Sequence, residues 1–342
     1  MYLGVDSHKD SLAACIVDVA GREVKAHTFA NTPLGHRQLL RWGRAGGVQR
    51  FGIECTGTYG AALAKALLAE GLDVREVPPK LSVRERRRGR RLGKSDPLDA
   101  LAIARVTARE EKLPPVAKPA MCEELGVLCD YRDELVTRRS AIANRLHCDL
   151  SVMCPGYTST CRSLVSGAAL TRVTYLLRGQ HSTRADVARR RVAELRRLDL
   201  EIKARTREIA TLVRMTGTHV VEIKGVGPLL GARILAEVGD IRRYPTSSHF
   251  ASANGTAPIP ASSGKVVRYR LNRGGNRRLN RALHYVALVQ AHSDDRAKAY
   301  LARKISTGKS GKEAIRCLKR HLSDAVYRAL QADFAAPQAL AA

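Results

Sequence analysis

Aromatic side chains are scarce: they make up 4% of the 342 residues, with one Trp and four Phe. That scarcity argues against the stacked-base platforms by which many proteins hold single strands. The sequence also lacks any run of 18 apolar residues, so nothing in it reads as a membrane span. No C-x-x-C pair occurs among the eight cysteines, Cys15, Cys55, Cys122, Cys129, Cys148, Cys154, Cys161 and Cys317. His147, Cys148, Cys154 and Cys161 are not spaced as zinc knuckles, so reduced and mostly buried thiols are expected. The first residues, Met1-Tyr-Leu-Gly-Val-Asp6, reach a carboxylate at once and do not read as a signal peptide. A cytoplasmic protein is expected.

Acidic residues are the other shortage. Against 59 Lys and Arg stand 32 Asp and Glu, a net charge of +27. A chain this basic points to a polyanion, most simply nucleic acid held through its phosphates. The surplus is uneven: residues 1–115 hold 20 basic against 13 acidic residues, and the rest 39 against 19. Phosphate contact should therefore fall mainly on the later two thirds.

What is present is a recurrent strand pattern at the start. Tyr2 to Asp6, Leu12 to Val19 and Glu23 to Ala30 read as three antiparallel strands, with a turn at Ala20-Gly21-Arg22. Pro33 to Ala45 has helical spacing, with Asn31 or Thr32 as cap. Arg50 to Glu54 is a strand, Ala61 to Glu70 a helix, and Leu72 to Val77 a strand closed by Pro78-Pro79. A mixed sheet with helices is predicted. In such sheets ligands bind at the carboxyl ends of parallel strands. Asp6 and Glu54 fall at such ends.

The third and fourth carboxylates lie in Gly93-Lys-Ser-Asp-Pro-Leu-Asp-Ala100. Pro97 suits a first helical turn, and Asp96 and Asp99, three apart, share a helix face. Two charges 4 Å apart repel by about 4 kcal/mol at an effective dielectric near 20, so four together call for divalent cations. Oxygen-only ligands suit Mg²⁺ or Mn²⁺. The order strand-Asp, strand-Glu, helix-Asp-x-x-Asp is that of an RNase H-like nuclease core. Beside it, Arg84-Glu-Arg-Arg-Arg-Gly-Arg-Arg91 reads as a basic loop, with Arg87, Arg88, Arg90 and Arg91 as phosphate contacts.

From Val116 to about Met215 the pattern is helical. Leu125, Leu128, Leu135, Ile142 and Leu146, then Leu195, Leu198, Ile202, Ile209 and Leu212, recur at helical spacing. An antiparallel coiled-coil pair is predicted, interrupted near Cys154-Pro-Gly156. Next, Lys224-Gly225-Val-Gly227 reads as a helix-hairpin-helix turn, its glycines letting backbone N–H groups approach a phosphate. Ser262-Ser-Gly-Lys265 precedes a run of cations that includes Arg270, Arg273, Arg277 and Arg278. Clustered cations beside a hydroxyl can steer a phosphodiester to it. Gly308-Lys-Ser-Gly-Lys312 lacks the first glycine of a P-loop and reads as an inter-helix loop.

Gly4-Val-Asp6, Gly52-Ile-Glu-Cys-Thr-Gly-Thr-Tyr59 and Lys94-Ser-Asp-Pro-Leu-Asp-Ala100 together resemble the signature of the DEDD transposases of insertion-sequence family one hundred ten, which includes the pilin-gene invertases. Ile223-Lys-Gly-Val-Gly-Pro228, Ser262-Ser-Gly-Lys265 and Arg270 to Arg281 resemble that family's second domain, although Asn254-Gly-Thr-Ala-Pro258 departs from the common Gly-Leu-Thr-Pro lead-in. The resemblance implies three parts: a RuvC-like domain over residues 1–115, a coiled-coil spacer over 116–215 and a mainly helical transposase domain over 216–342. It implies Asp6, Glu54, Asp96 and Asp99 as metal ligands and Ser263 as nucleophile, with adjacent Ser262 left open. It further implies double-stranded DNA as substrate, a structured bridge RNA as partner, a homodimer or homotetramer with composite active sites, and work at the bacterial nucleoid. A junction-resolving nuclease using the same carboxylates, an invertase without guide RNA, and a non-enzymatic nucleic-acid binder are the alternatives.

Overall fold

The computed structural model describes residues 1–54, 56–87, 95–116, 119–261, 269–270, 272 and 274–335, together with the backbone of Arg88. The chain divides into two compact units, Met1–Ala117 and Lys118–Ala342.

The first unit runs β1 (Tyr2–Ser7), β2 (Ser11–Val17), β3 (Glu23–Ala30), α1 (Pro33–Ala45), β4 (Arg50–Ile53), α2 (Ala61–Ala69), β5 (Asp73–Glu76), α3 (Pro79–Arg88) and α4 (Asp96–Arg109). Its five strands form one mixed sheet in the order β3-β2-β1-β4-β5. β1, β4 and β5 are parallel, whereas β2 and β3 add on antiparallel. Side-chain alternation sorts the strands onto two cores. Leu3, Val5, Leu12, Phe51, Ile53 and Val74 pack with Leu39 of α1 and Leu63 and Leu67 of α2. Ala13, Cys15 and Val17 face the other way, against Ala100, Leu101 and Ala104 of α4. Of the two candidate caps for α1, Thr32 serves: its hydroxyl accepts the Gly35 N–H at 3.2 Å. The sequence reading closes β5 at Pro78-Pro79 and treats Arg84–Arg91 as loop. Instead Pro79–Arg88 is helical, because proline is at home in a first turn and the residues after it are mostly good helix formers.

The second unit begins with α5 (Ala120–Met153), α6 (Gly167–Leu176) and α7 (Thr183–Met215). α5 and α7 lie antiparallel, as their pairing runs from Arg132–Thr206 through Arg139–Asp199 to Asp149–Arg191. Leu135, Ile142 and Leu146 meet Val192, Leu195 and Leu198 along their upper length, with Leu170 and Val173 of α6. Then follow α8 (Pro228–Val238), α9 (Ser247–Ala253), a two-stranded ladder of β6 (Ile259–Pro260) and β7 (Tyr269–Arg270), α10 (Arg277–Ser293), α11 (Asp295–Ser306) and α12 (Gly311–Ala335). Leu125 and Cys129 of α5 and Ile209 and Val213 of α7 enter the same core as α8, α10 and α12. The helical pair and the C-terminal helices thus share one core at its foot. Buried Arg233 fixes that junction, reaching Asp130 at 2.6 Å and Asp133 at 2.9 Å. Among the described residues no helix is long and apolar enough to cross a membrane.

Candidate active site

Two glycines place the acidic residues. Gly4 and Gly52 are register partners on the parallel strands β1 and β4. Asp6 and Glu54 follow two residues on, so each shares its glycine's face of the sheet. α4 crosses that face in close contact. A methyl group on Gly4 would stand 2.1 Å from the Ala104 nitrogen and 2.6 Å from the Ala100 carbonyl oxygen. One on Gly52 would stand 1.8 Å from Thr107 Oγ1. Two strand residues advance about 6.6 Å, as do roughly four helical ones. Asp96 precedes Ala100 by four, so the start of α4 arrives beside Asp6.

The resulting geometry is compact. His8 Nε2 stands 3.1 Å from Asp6 Oδ2 and 3.3 Å from Asp96 Oδ1. One ligand atom from each of Asp6, His8 and Asp96 lies within 4.8 Å of the others. On the β4 side, the Ser82 hydroxyl donates to Glu54 Oε2 at 2.8 Å, and Arg86 pairs with Asp99. Both partners come from α3. Asn31 braces the loop after β1, donating to the His8 carbonyl at 2.8 Å and the Tyr59 carbonyl at 3.0 Å.

Electrostatics ties the carboxylates into one group. Burial raises the Asp6 pKa; His8 opposes the shift, and the charges of Asp99 and Asp96 add to it. Burial likewise raises Glu54 against the Ser82 hydrogen bond, and the charges of Asp6 and Asp99 raise it further. Each therefore feels its acidic neighbours across β1, β4 and α4. The Arg86 guanidinium offsets only part of the charge. A crowded carboxylate set with incompletely compensated charge fits a divalent cation, which would lower both pKa values.

His8, Ser82 and Arg86 were not in the set read from sequence. The Asp6-x-His8 spacing, two residues apart at a strand end, was a usable signal for His8. Nothing in the sequence marks Ser82 and Arg86 until Pro79–Arg88 is seen as a helix.

The predicted nucleic-acid contacts lie as follows. Arg87 is exposed on α3, while the Arg88 side chain, Arg90, Arg91, Ser262, Ser263, Lys265 and Arg273 lie outside the described residues. By sequence, Ser263 falls between β6 and β7, whose pairing sets Ile259 opposite Arg270. Arg270 and Arg277 are exposed. Arg278 is exposed but bound to Asp130 at 2.9 Å. Lys224 pairs with Asp294 at 3.3 Å. Gly225 takes φ +88, which L side chains rarely adopt, and Gly227 stands at the N-cap of α8. The segment before this turn is a short 3-10 helix, His219–Glu222.

A mixed sheet with acidic residues at the ends of parallel strands, and two more at the start of a helix laid across it, is the framework of a DEDD nuclease-like domain. Comparison with known proteins agrees. Residues 3–155 match the family model of the DEDD transposase domain of IS110, described as a transposase, and residues 217–302 match that of the transposase IS116/IS110/IS902 family. The insertion element IS116 protein of Streptomyces clavuligerus is 26% identical over 379 aligned positions, covering 97% of this chain and 94% of its own. The insertion element IS900 protein of Mycobacterium paratuberculosis is 24% identical, covering 97% and 96%. The pilin gene-inverting protein of Moraxella bovis is 24% identical, covering 96% and 95%. The chain belongs to the IS110 family of transposases. It is an enzyme that cuts and rejoins DNA.

Proposed function

We propose that this transposase cuts and rejoins the DNA of an insertion sequence through two sets of groups: the acidic site of a RuvC-like domain and a nucleophilic serine, Ser263. The observation that carries the reading is the clustering of Asp6, His8 and Asp96 at one sheet edge, with Glu54 and Asp99 oriented beside them by Ser82 and Arg86 of α3. These four would hold Mg²⁺ or Mn²⁺, which when bound supplies charge stabilisation at phosphate oxygens and activation of an attacking hydroxyl. Around them, Ser82 orients Glu54, Arg86 orients Asp99 and His8 bridges Asp6 and Asp96.

In the serine step, the Ser263 oxygen forms a bond to the scissile phosphorus and the bond from phosphorus to the 3′ oxygen breaks. The serine proton is lost and the departing 3′ oxygen takes one up. Rejoining reverses this, with a new 3′ hydroxyl attacking the phosphoserine. Arg270, Arg277 and Lys265, with Gly225 and Gly227 of a helix-hairpin-helix, would grip the backbone. The antiparallel α5–α7 pair would act as a coiled-coil spacer between the acidic and serine domains of a homodimer or homotetramer. A structured bridge RNA is the proposed guide, in keeping with the basic surplus after residue 115.

The test is covalent trapping on DNA carrying the element's ends. Wild type should form a protein–DNA adduct and Ser263→Ala none, while Ser262→Ala retains it. The reverse pattern moves the nucleophile by one residue. Cleavage without an adduct on either serine points to a hydrolytic nuclease. A second reading, inversion of a DNA segment, is favoured by the likeness to the Moraxella pilin gene-inverting protein; sequencing of RNA that co-purifies with the protein from cells carrying the whole element separates a guided transposase from an invertase without a guide.

A further inference from the structure

α12 carries a lysine where its apolar stripe would place a hydrophobic residue. Lys319 follows Ile315 by four and precedes Leu322 by three, and it is 7% exposed. Its ammonium donates to Asn280 Oδ1 at 2.5 Å. Among the described residues it has no carboxylate partner, so two of its three donors and its whole charge lack compensation from that source. Burying an ammonium in this way is costly, and burial, aided by the charge of Arg316, pushes its pKa down to about 8.

The surroundings show what would repay that cost. Lys319 stands in the lining of two cavities, of about 650 and 330 Å³, that also share Arg316, Asn272 and Gly255. The larger adds Arg277, Lys312 and His284, and among its described lining residues there is no carboxylate. The smaller adds Arg270, Tyr269 and Lys309, with Glu313 as the one carboxylate described. Glu313 is already engaged by Ser310 at 2.7 Å and Arg316 at 3.6 Å. The smaller cavity is lined by Tyr269 and Arg270 of β7, and Asn272, two residues past β7, lines both.

We infer that Lys319 is a buried anchor for a nucleic-acid phosphodiester, seated where the two basic cavities meet beside β7. The anion completes the hydrogen bonding of the ammonium and supplies the missing negative charge, with Arg316 and Arg277 on its flanks. An exposed lysine would make a similar contact but pay for its lost rotamers on binding; Lys319 is already held in place by Asn280. The inference rests on the transposase reading only in taking nucleic acid as the ligand.

Lys319→Met decides it. An apolar side chain of similar length removes a desolvated charge, so the variant should melt no lower than wild type. Its affinity for nucleic acid should nevertheless fall by about tenfold or more, the worth of a charge-assisted hydrogen bond. The slope of log affinity against log salt should flatten by about 0.9 on duplex DNA, or about 0.7 on a single strand, because one phosphate fewer is neutralised. Binding is measured with the full chain on a random-sequence DNA duplex and, separately, a random-sequence RNA. Weakening on DNA alone assigns the phosphate to the substrate, on RNA alone to a guide, and on both to a site open to either. Lys319→Gln, which keeps a donor for Asn280 without the charge, should behave in the same way and serves if the Met variant does not fold. A variant that melts like wild type and binds both probes with unchanged affinity and slope overturns the inference. Wild type that binds neither probe overturns the nucleic-acid reading as well.

Discussion

Substituting Gly4 by alanine tests how the sheet builds the site. The added methyl would lie 2.1 Å from the Ala104 nitrogen and 2.6 Å from the Ala100 carbonyl oxygen. Ordinary contact needs roughly 3.4 Å or more, so α4 must lift from β1 by about 1 Å. Both obstacles are backbone atoms of one helix, so no side chain can swing aside. Overpacking of this kind costs about 1–3 kcal/mol, and here the upper end applies, because lifting α4 also unpacks Leu101 and Ala104 from Ala13, Cys15 and Val17. For a unit of this size that lowers the melting temperature by roughly 10 °C. The same lift carries Asp96 and Asp99 away from Asp6, and a misplacement of about 1 Å can cost some 10²-fold in rate. Gly52→Ala should be milder. Its obstacle is the Thr107 hydroxyl, which can move at the expense of its 2.8 Å hydrogen bond to the Ile103 carbonyl. Thermal unfolding and a recombination assay on the purified variants read both effects. Wild-type melting and activity in Gly4→Ala would refute this account of how α4 sets the site.

Three further outcomes follow from the same geometry. Asp99→Asn should fold as wild type, since Arg86 can still donate to the amide oxygen, yet lose recombination; a fully active variant would remove Asp99 from the site. His219 is held above its ordinary pKa by its hydrogen bond to Asp333 and then by that carboxylate's charge. The stabilisation is therefore complete below about pH 6.5 and is lost as pH rises through the raised value, so the melting-temperature gap between wild type and His219→Gln should close at alkaline pH. A gap independent of pH would exclude the charged pair as its source. Arg233→Leu removes the cation between Asp130 and Asp133, but both keep a second partner, Arg278 at 2.9 Å and Arg281 at 3.4 Å. The cost should then stay near about 2 kcal/mol by urea denaturation, below the roughly 3–5 kcal/mol of an orphaned buried charge.

Much of the first unit was legible because its information is local. Tyr2 to Asp6 and Arg50 to Glu54 each carry a strand end with its carboxylate in five residues, and Thr32-Pro33 marks the start of α1, whereas the close approach of α4 at Gly4 and Gly52 was not read. The apolar spacing of Leu125, Leu135, Ile142 and Leu146 against Leu195, Leu198 and Ile209 likewise gave the long helical pair. What escaped depends on contacts between distant segments. Arg84–Arg88 looked like loop because its charge density suggested solvent, and only the helix makes Arg86 a partner of Asp99 and Ser82 of Glu54. Lys319 was hidden by the default that lysines are exposed, although its place on the Ile315–Leu322 stripe was a sign of burial. Sequence motifs point to candidate reacting groups. They are poor at naming the neighbours that orient them, because those are chosen by packing.

The central claim is that Asp6, Glu54, Asp96 and Asp99 form one cation site. The direct measurement is the melting temperature of wild type and of Asp6→Asn/Glu54→Gln, each titrated with Mg²⁺ and with Mn²⁺ after removal of metal by a chelator. A ligand that binds only the folded state at a hundred times its Kd adds about 2.7 kcal/mol of stability. Wild type should therefore gain several degrees and the double variant almost nothing. Equal gains in the two proteins would contradict a shared site.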